Sequence, residues 1–233
     1  AGFRFLGSVS CVSRFSLKDL IMNERAATPL DDAQLADSVL PAGADPLVLF
    51  EEWFAAAQVG ELNDPNAMAL ATATADAAPA VRMVLLKDIE PDAFVFYTNY
   101  GSKKGQELSA SGKAAFVLHW KSLRRQVRVR GSVEPVTPQE ADDYFASRAR
   151  ESRIGAWASD QSRPLDDRQT LEAAVARETA RFEDLDVPRP ERWSGWRVTP
   201  HVVEFWRDRP FRLHDRLRFT RDGDAWLRQR LWP

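Results

Sequence analysis

The chain has 233 residues, 44% of them hydrophobic and 28% charged, with a net charge of −2 and a pI near 6.0. That is ordinary globular composition, long enough for one large domain or two small ones with a core that needs no disulfide staples. The charge balance argues against general nucleic-acid affinity, the single Cys11 excludes a disulfide framework or a CxxC metal site, and no apolar run approaches the ~18–20 residues of a membrane span.

His119, His201 and His214 are scattered with no HxxxH or HExxH spacing, so no metal is expected. A reducing, cytoplasmic setting is compatible with the one cysteine. Residues 1–21 hold Arg4, Arg14 and Lys18, four serines and no acid before Asp19. The composition fits a mitochondrial presequence; the preferred reading is an upstream extension ahead of Met22. Residues 22–44 are Ala/Asp/Pro-rich and weakly periodic, and residues 1–44 together are expected to form an arm or extension before a single domain over 45–233.

Asp45-Pro46 predicts a helix start, with an N-cap and a proline at the first helical position. Leu47, Phe50, Trp53, Phe54 and Ala57 follow at helical spacing, ending near Gly60. Strands are expected at 67–74, 80–88 and 93–99, then a short helix over 101–111 opened by Ser102. Two more strands, 113–120 and 123–136, are joined by a short turn; in the second, Gln126, Arg128 and Arg130 alternate with Val127 and Val129. "TPQE" (137–140) is a capping box for a helix reaching about Arg150, and 164–185 is a second amphipathic helix. The C-terminal part returns to β, with a hairpin through Asp222-Gly223. Six or seven strands interrupted by helices suggest a barrel with peripheral helices.

Four groups of residues could carry chemistry. Arg82 and Lys87 bracket "RMVLLK". In "YTNYGSKK" (97–104) a strand turns into a helix carrying Lys103 and Lys104, which is either a phosphate cradle or a capped helix with solvated lysines. Tyr144, Arg148 and Ser152 are spaced by four, either a phosphate grip or an arginine compensating a helix C-terminus. In "RPFRLHDRLRFTR" (209–221), a period of two puts Arg212, His214, Arg216 and Arg218 on one side and Leu213, Asp215 and Leu217 on the other. Such a row is either a solvated edge strand or a face turned to an anion. Several anion-binding candidates in an acidic chain would be accounted for by two phosphorylated ligands.

"RMVLLK", "FYTNYGSKK", "RRQVRVRG", "YFASRARESRIGAWASDQS", "VEFW" and "RLHDR" occur in this order. Together they resemble the pyridoxamine 5′-phosphate oxidases, over about Asp45 to Pro233. The resemblance implies a mainly β fold, the FMN-binding split barrel, in a homodimer with two flavin sites at the subunit interface. It implies FMN contacts at Arg82, Met83, Val84, Leu85, Leu86, Lys87, Tyr97, Thr98, Lys103, Lys104, Gln126, Gln161, Ser162, Trp206 and Arg216. The substrate phosphate would be held by Lys87, Tyr144, Arg148 and Ser152. Arg212, Leu213 and His214 would meet the rest of the substrate, with Arg212 and His214 nearest the reacting carbon. The row at 212–216 is then a face shared by substrate and flavin. The implied reaction takes pyridoxamine or pyridoxine 5′-phosphate and O2 to pyridoxal 5′-phosphate and H2O2, with FMN as the redox cofactor. Position 103 is Lys where the family pattern usually has Arg, and the Arg/Tyr segment that closes over substrate in some relatives is not legible in residues 22–44. Two other classes share some of these features: a different flavin or deazaflavin reductase on the same barrel, and a non-catalytic FMN- or pyridoxal-phosphate-binding protein.

Overall fold

In the computed structural model, residues 45–233 are described; the expectations for 1–44 lie outside them. Helix α1 (Pro46–Gly60) begins where the cap predicts, the Asp45 carboxylate accepting the Leu47 N–H at 2.8 Å. Its buried stripe is Leu47, Phe50, Trp53, Phe54 and Ala57. Nine strands follow: β1 (Ala67–Ala73), β2 (Pro79–Leu85), β3 (Asp88–Glu90), β4 (Ala93–Asn99), β5 (Lys113–Trp120), β6 (Arg125–Pro135), β7 (Trp193–Arg207), β8 (Asp215–Asp222) and β9 (Ala225–Arg230). Between them lie α2 (Lys103–Ser111), α3 (Pro138–Ala146), α4 (Arg150–Ala158) and α5 (Arg168–Arg181).

The strands form one antiparallel sheet in the order β2-β1-β5-β6-β7-β4-β3, with β8 also on β7 and β9 on β8. β7 is the hinge of this topology. Its first residues, Trp193 to Val198, pair with β4; its last, Val202 to Arg207, pair with β8; β6 runs along nearly all of it. The β6–β7 register shifts between Arg130 and Gly131. A side chain at Gly131 would put Cβ 2.1 Å from the Thr199 carbonyl oxygen, so the close approach at this bulge requires glycine.

The sheet curls around α1. Phe94 on β4 and Phe116 on β5 are three strands apart in the sheet order, yet their rings meet at 5.3 Å. Phe50 packs against Phe94 at 4.8 Å and Trp120 at 6.0 Å, while Trp53 meets Phe205 at 5.2 Å. Each such burial contributes roughly 1.5–3 kcal/mol. The helix is thus the plug of a half-barrel. A second, smaller core of Phe145, Ile154, Phe182, Val187 and Trp193 holds α3–α5 to the start of β7.

Four expectations need correction. The sheet has nine strands where six or seven were expected, because the 80–88 segment divides and the C-terminal hairpin adds two. The 80–88 strand is two strands, with Leu86 and Lys87 between them. The helix expected from 138 to about 150 is broken into α3 and α4: the Ser147 hydroxyl donates to the Tyr144 carbonyl at 2.8 Å and Ala149 leaves helical geometry at ψ 142. Tyr144, Arg148 and Ser152 therefore do not share one helix. Nor is 209–221 a continuous strand. Pro210–Arg212 is a 3₁₀ turn, with Phe211 (φ 59) and Arg212 (φ 63) both left-handed, and β8 starts only at Asp215. Period-two alternation does not extend through that turn, so Arg212 and His214 are not in one strand row with Arg216.

Candidate functional site

A cleft of about 650 Å³ opens where β2, β4 and α2 face α3 and α4. Its lining includes Met83, Val84, Leu85 and Lys87 from β2 and the segment after it, Tyr97, Thr98 and Asn99 from β4, and Lys104 from α2. Tyr144, Arg148, Ser152, Gly155, Ala156, Ser159, Gln161 and Trp193 complete it. Among the described residues, three cations line this cleft and no carboxylate does.

Lys104 is placed by local structure. Ser102 caps α2, its hydroxyl oxygen accepting the Gly105 N–H at 3.3 Å, which turns the first helical residues toward the end of β4. Lys104 Nζ then donates to Gln161 Oε1 at 2.7 Å, Thr98 Oγ1 at 3.0 Å and Ser102 Oγ at 3.3 Å. All three partners are neutral. Burial, with Arg82 nearby, pulls this ammonium down to a pKa of about 8. Arg82 itself is not among the residues that line the cleft. It donates to Thr72 Oγ1, to the Leu70 carbonyl and to Glu107, with an ion pair at 3.2 Å. Lys103 is 67% exposed and pairs loosely with Glu107 at 3.9 Å.

The other end of the cleft is built on aromatic rings. Tyr97 and Tyr144 stack at 4.0 Å, and Trp193 lies 5.6 Å from Tyr97. The Arg148 guanidinium sits over Trp193 at 4.7 Å, and its buried Nη1 has no hydrogen-bond partner among the described residues. Burial lowers the Arg148 pKa; burial and then the Arg148 charge lower that of Lys87. Two desolvated cations that repel each other, one with an unsatisfied donor, form a pair that a neighbouring anion would stabilise. The break between α3 and α4 still delivers Tyr144, Arg148 and Ser152 to this one cleft.

The remaining expected residues lie elsewhere. Leu86 points into the core and is fully buried. Ser162 (φ 74) follows Gln161 in an exposed turn and is not in the lining. Gln126, Trp206 and Arg216 are cross-strand neighbours on β6, β7 and β8, and the His214 ring lies 4.6 Å from that of Trp206. Arg216 is bound to Glu204 and to the Trp232 carbonyl, each at 2.9 Å. Arg212 and Leu213 are exposed in the turn before β8. Thr98 pairs with Ser194 near the start of β7 and Trp206 is near its end, about 40 Å of strand contour away at roughly 3.3 Å per residue. Within one chain the expected site is therefore two clusters. Asn99, Gly155, Ala156, Ser159 and Trp193 of the cleft were not anticipated. All but Trp193 had a signal, since Asn99 falls within "FYTNYGSKK" and Gly155, Ala156 and Ser159 fall within "SRIGAWASDQS".

Family models decide the lineage. Residues 54–182 match the model described as "Pyridoxamine 5'-phosphate oxidase", and 193–233 match "Pyridoxine 5'-phosphate oxidase C-terminal dimerisation region". The chain belongs to the pyridoxamine 5′-phosphate oxidase family. Among similar relatives, a pyridoxine/pyridoxamine 5′-phosphate oxidase of Bartonella henselae is 63% identical over 191 residues, 81% of this chain and 92% of that protein. One from Caulobacter vibrioides is 57% identical over 215 residues, 92% and 93% of the two chains. Among solved structures, PhzG from Burkholderia lata, in complex with tetrahydrophenazine-1-carboxylic acid, is similar with a TM-score of 0.79 and 35% identity, covering 86% of this chain and 96% of that one. A pyridoxamine 5′-phosphate oxidase-related, FMN-binding protein from Nostoc punctiforme shares the fold at a TM-score of 0.65 and 14% identity, covering 82% and 99%. The family's split barrel is the half-barrel seen here. Among the described residues no helix is long and apolar enough to cross a membrane.

Proposed function

We propose that this protein oxidises pyridoxamine 5′-phosphate and pyridoxine 5′-phosphate to pyridoxal 5′-phosphate, with FMN as cofactor and O2 reduced to H2O2. The observation that carries this reading is the cleft with Lys104 at one end, Lys87 and Arg148 at the other, and no carboxylate in its lining. Two phosphorylated ligands, one at each end, satisfy it. The donor set fits FMN: Lys104 with Thr98 and Gln161 would hold the cofactor phosphate, and Met83 to Leu85 would offer main chain and apolar side chains to its ring. When bound there, FMN would supply the hydride acceptor for the C4′ carbon and the route of the electrons to dioxygen.

The chain's own residues bind and orient. Arg148, Lys87, Tyr144 and Ser152 grip the substrate phosphate, a remote contact that fixes C4′ for reaction. Arg212 and His214 meet the substrate ring, and Arg216, Gln126 and Trp206 contact the cofactor, from the second cluster. Arg212 stays protonated and serves as a positioning charge, not a base. A homodimer brings one cluster of each chain to the other, which the match of 193–233 to a dimerisation region supports. A cytoplasmic setting, with no nucleic-acid partner, accompanies this reading, supported by the single cysteine and the net charge of −2.

The test is optical. The purified protein should carry a flavin spectrum, the flavin released by denaturation should run as FMN, and anaerobic pyridoxamine 5′-phosphate should bleach it. FAD in place of FMN, or a spectrum that substrate leaves unchanged, overturns the reading. Bleaching also separates an oxidase from a binding protein.

A further inference from the structure

Beyond β7 the chain from Asp208 to His214 folds back so that the His214 ring rests against Trp206 at 4.6 Å, tilted by 49°. Asp208 is clamped from the β5–β6 turn. Its N–H donates to the Arg124 carbonyl at 3.0 Å, and the Arg124 guanidinium pairs with its Oδ2. Arg124 holds this double grip from a left-handed backbone, φ 52, a conformation that surrounding contacts must sustain in a residue with a side chain. The other carboxylate oxygen, Oδ1, lies 3.0 Å from His214 Nδ1.

A second group competes for that nitrogen. The Arg209 N–H points at the same Nδ1 from 3.2 Å, and Arg209 is itself tied to Asp215 Oδ2 at 2.6 Å. Nδ1 has one in-plane position, holding either a proton or a lone pair. With a lone pair there, the Arg209 N–H is satisfied but a carboxylate oxygen faces another acceptor at 3.0 Å. With a proton there, His214 donates to an anion. Hydrogen bonds to an ionised acceptor are about twice as strong as neutral ones, so the carboxylate prevails.

The geometry points to Asp208 as a positioning residue that holds His214 in the Nδ1–H tautomer and so leaves Nε2, across the ring, as a lone-pair acceptor for the substrate. Arg124 is the anchor that keeps Asp208 in place. The inference rests on the reading that His214 meets the substrate, and it assigns the imidazole a direction: Nε2 receives a hydrogen bond from the amine or hydroxyl at C4′ and does not donate one. The tautomer is set by a contact outside the cleft, through a residue that does not itself touch a ligand.

The tautomer is readable without turnover. The full-length, FMN-loaded protein is labelled with ¹⁵N-histidine and its ring nitrogens are recorded at about pH 8, above the ordinary imidazole range. His214→Gln assigns the signals among the three histidines. His214 should show a protonated Nδ1 and an unprotonated Nε2. Asp208→Ala should move the proton to Nε2, the arrangement the Arg209 N–H favours. Asp208→Asn keeps the shape and can turn its amide N–H toward Nδ1, so it should move the proton the same way, and it serves if the alanine variant does not fold. With pyridoxamine 5′-phosphate, both should lower kcat by about tenfold or more, while FMN affinity stays within about twofold, since Asp208 pairs with Arg124 and His214 and lies outside the cleft proposed to hold the cofactor phosphate. A wild-type ring protonated on Nε2, or one that keeps Nδ1–H in both variants, overturns the proposal. Absence of any turnover in the wild type counts against the oxidase reading alone, because the ring signals still report on Asp208.

Discussion

At the scale of single residues, Lys104 makes a pH dependence. Its ammonium is depressed to about 8 from an ordinary 10.5, burial being the main cause and Arg82 the second. Between those values the unfolded chain keeps a proton that the folded protein has released, so this group makes the ligand-free protein more stable as pH rises through that window. A bound phosphate reverses the preference by stabilising the ammonium. FMN affinity should therefore be flat below about pH 8 and weaken above it, by up to about tenfold per pH unit for the one proton taken up. Fluorescence titration across the range measures it, and Lys104→Gln should flatten the profile; a wild-type profile already flat removes Lys104 from the phosphate site. Arg148 gives a different signature. Losing its contact should cost roughly 1.5–3 kcal/mol of substrate binding. Arg148→Ala should raise KM at least tenfold and change kcat little, since the phosphate is held alike before and during reaction. Because Arg148 also stacks on Trp193, an unchanged KM with a lowered melting temperature would make it a packing residue.

At the scale of elements, α2 owes its position to one absent side chain. A Cβ at Gly105 would lie 2.4–2.7 Å from the Tyr100 backbone. Alanine gains about 1 kcal/mol in helix propensity, but the obstacle is main chain that cannot rotate away, and overpacking of this kind costs typically 1–3 kcal/mol. Gly105→Ala should lower the melting temperature and, by pushing the helix start off β4, weaken FMN binding more than tenfold; an unchanged flavin titration would mean that Lys104 tolerates displacement. Elements such as this were legible in the sequence where a local rule decides them: the Ser102 and Asp45 caps, the Thr137–Glu140 box and the β6 alternation all stand where the residues put them. The α3–α4 break was not, because "YFASRAR" has no glycine or proline and the interruption comes from a serine hydroxyl taking a carbonyl. The turn at Pro210 had its proline, but two left-handed residues after it lack any signature. The candidate site was legible through resembling strings, whereas its physical content was not: Lys104 meets Gln161 from 57 positions away and Tyr97 meets Trp193 across the β4–β7 pairing.

At the scale of the molecule, the proposed reading joins the two clusters along β7 through a partner subunit. If each proposed site takes Lys104 and Arg148 from one chain and Arg216 from the other, then Arg148→Ala and Arg216→Ala subunits should complement. Random reassociation makes half the dimers mixed, each with one unaltered site, so about a quarter of wild-type activity should return when assayed at substrate well below the wild-type KM and without added FMN, conditions in which each parent is only weakly active. Activity assays on mixtures refolded together measure this, and no recovery would put each site within a single chain. β7 gives that arrangement a further meaning. One strand closes the cleft at its start and carries Trp206 near its end, so on the proposed reading the flavin is held by Thr98, paired with the beginning of this strand, in one subunit and by Trp206, near the end of it, in the other. A ligand shared in that way is held only by the associated form, and its binding energy is also association energy. Vitamin supply then becomes a term in assembly: a cell poor in riboflavin would hold not merely an empty enzyme but a looser one.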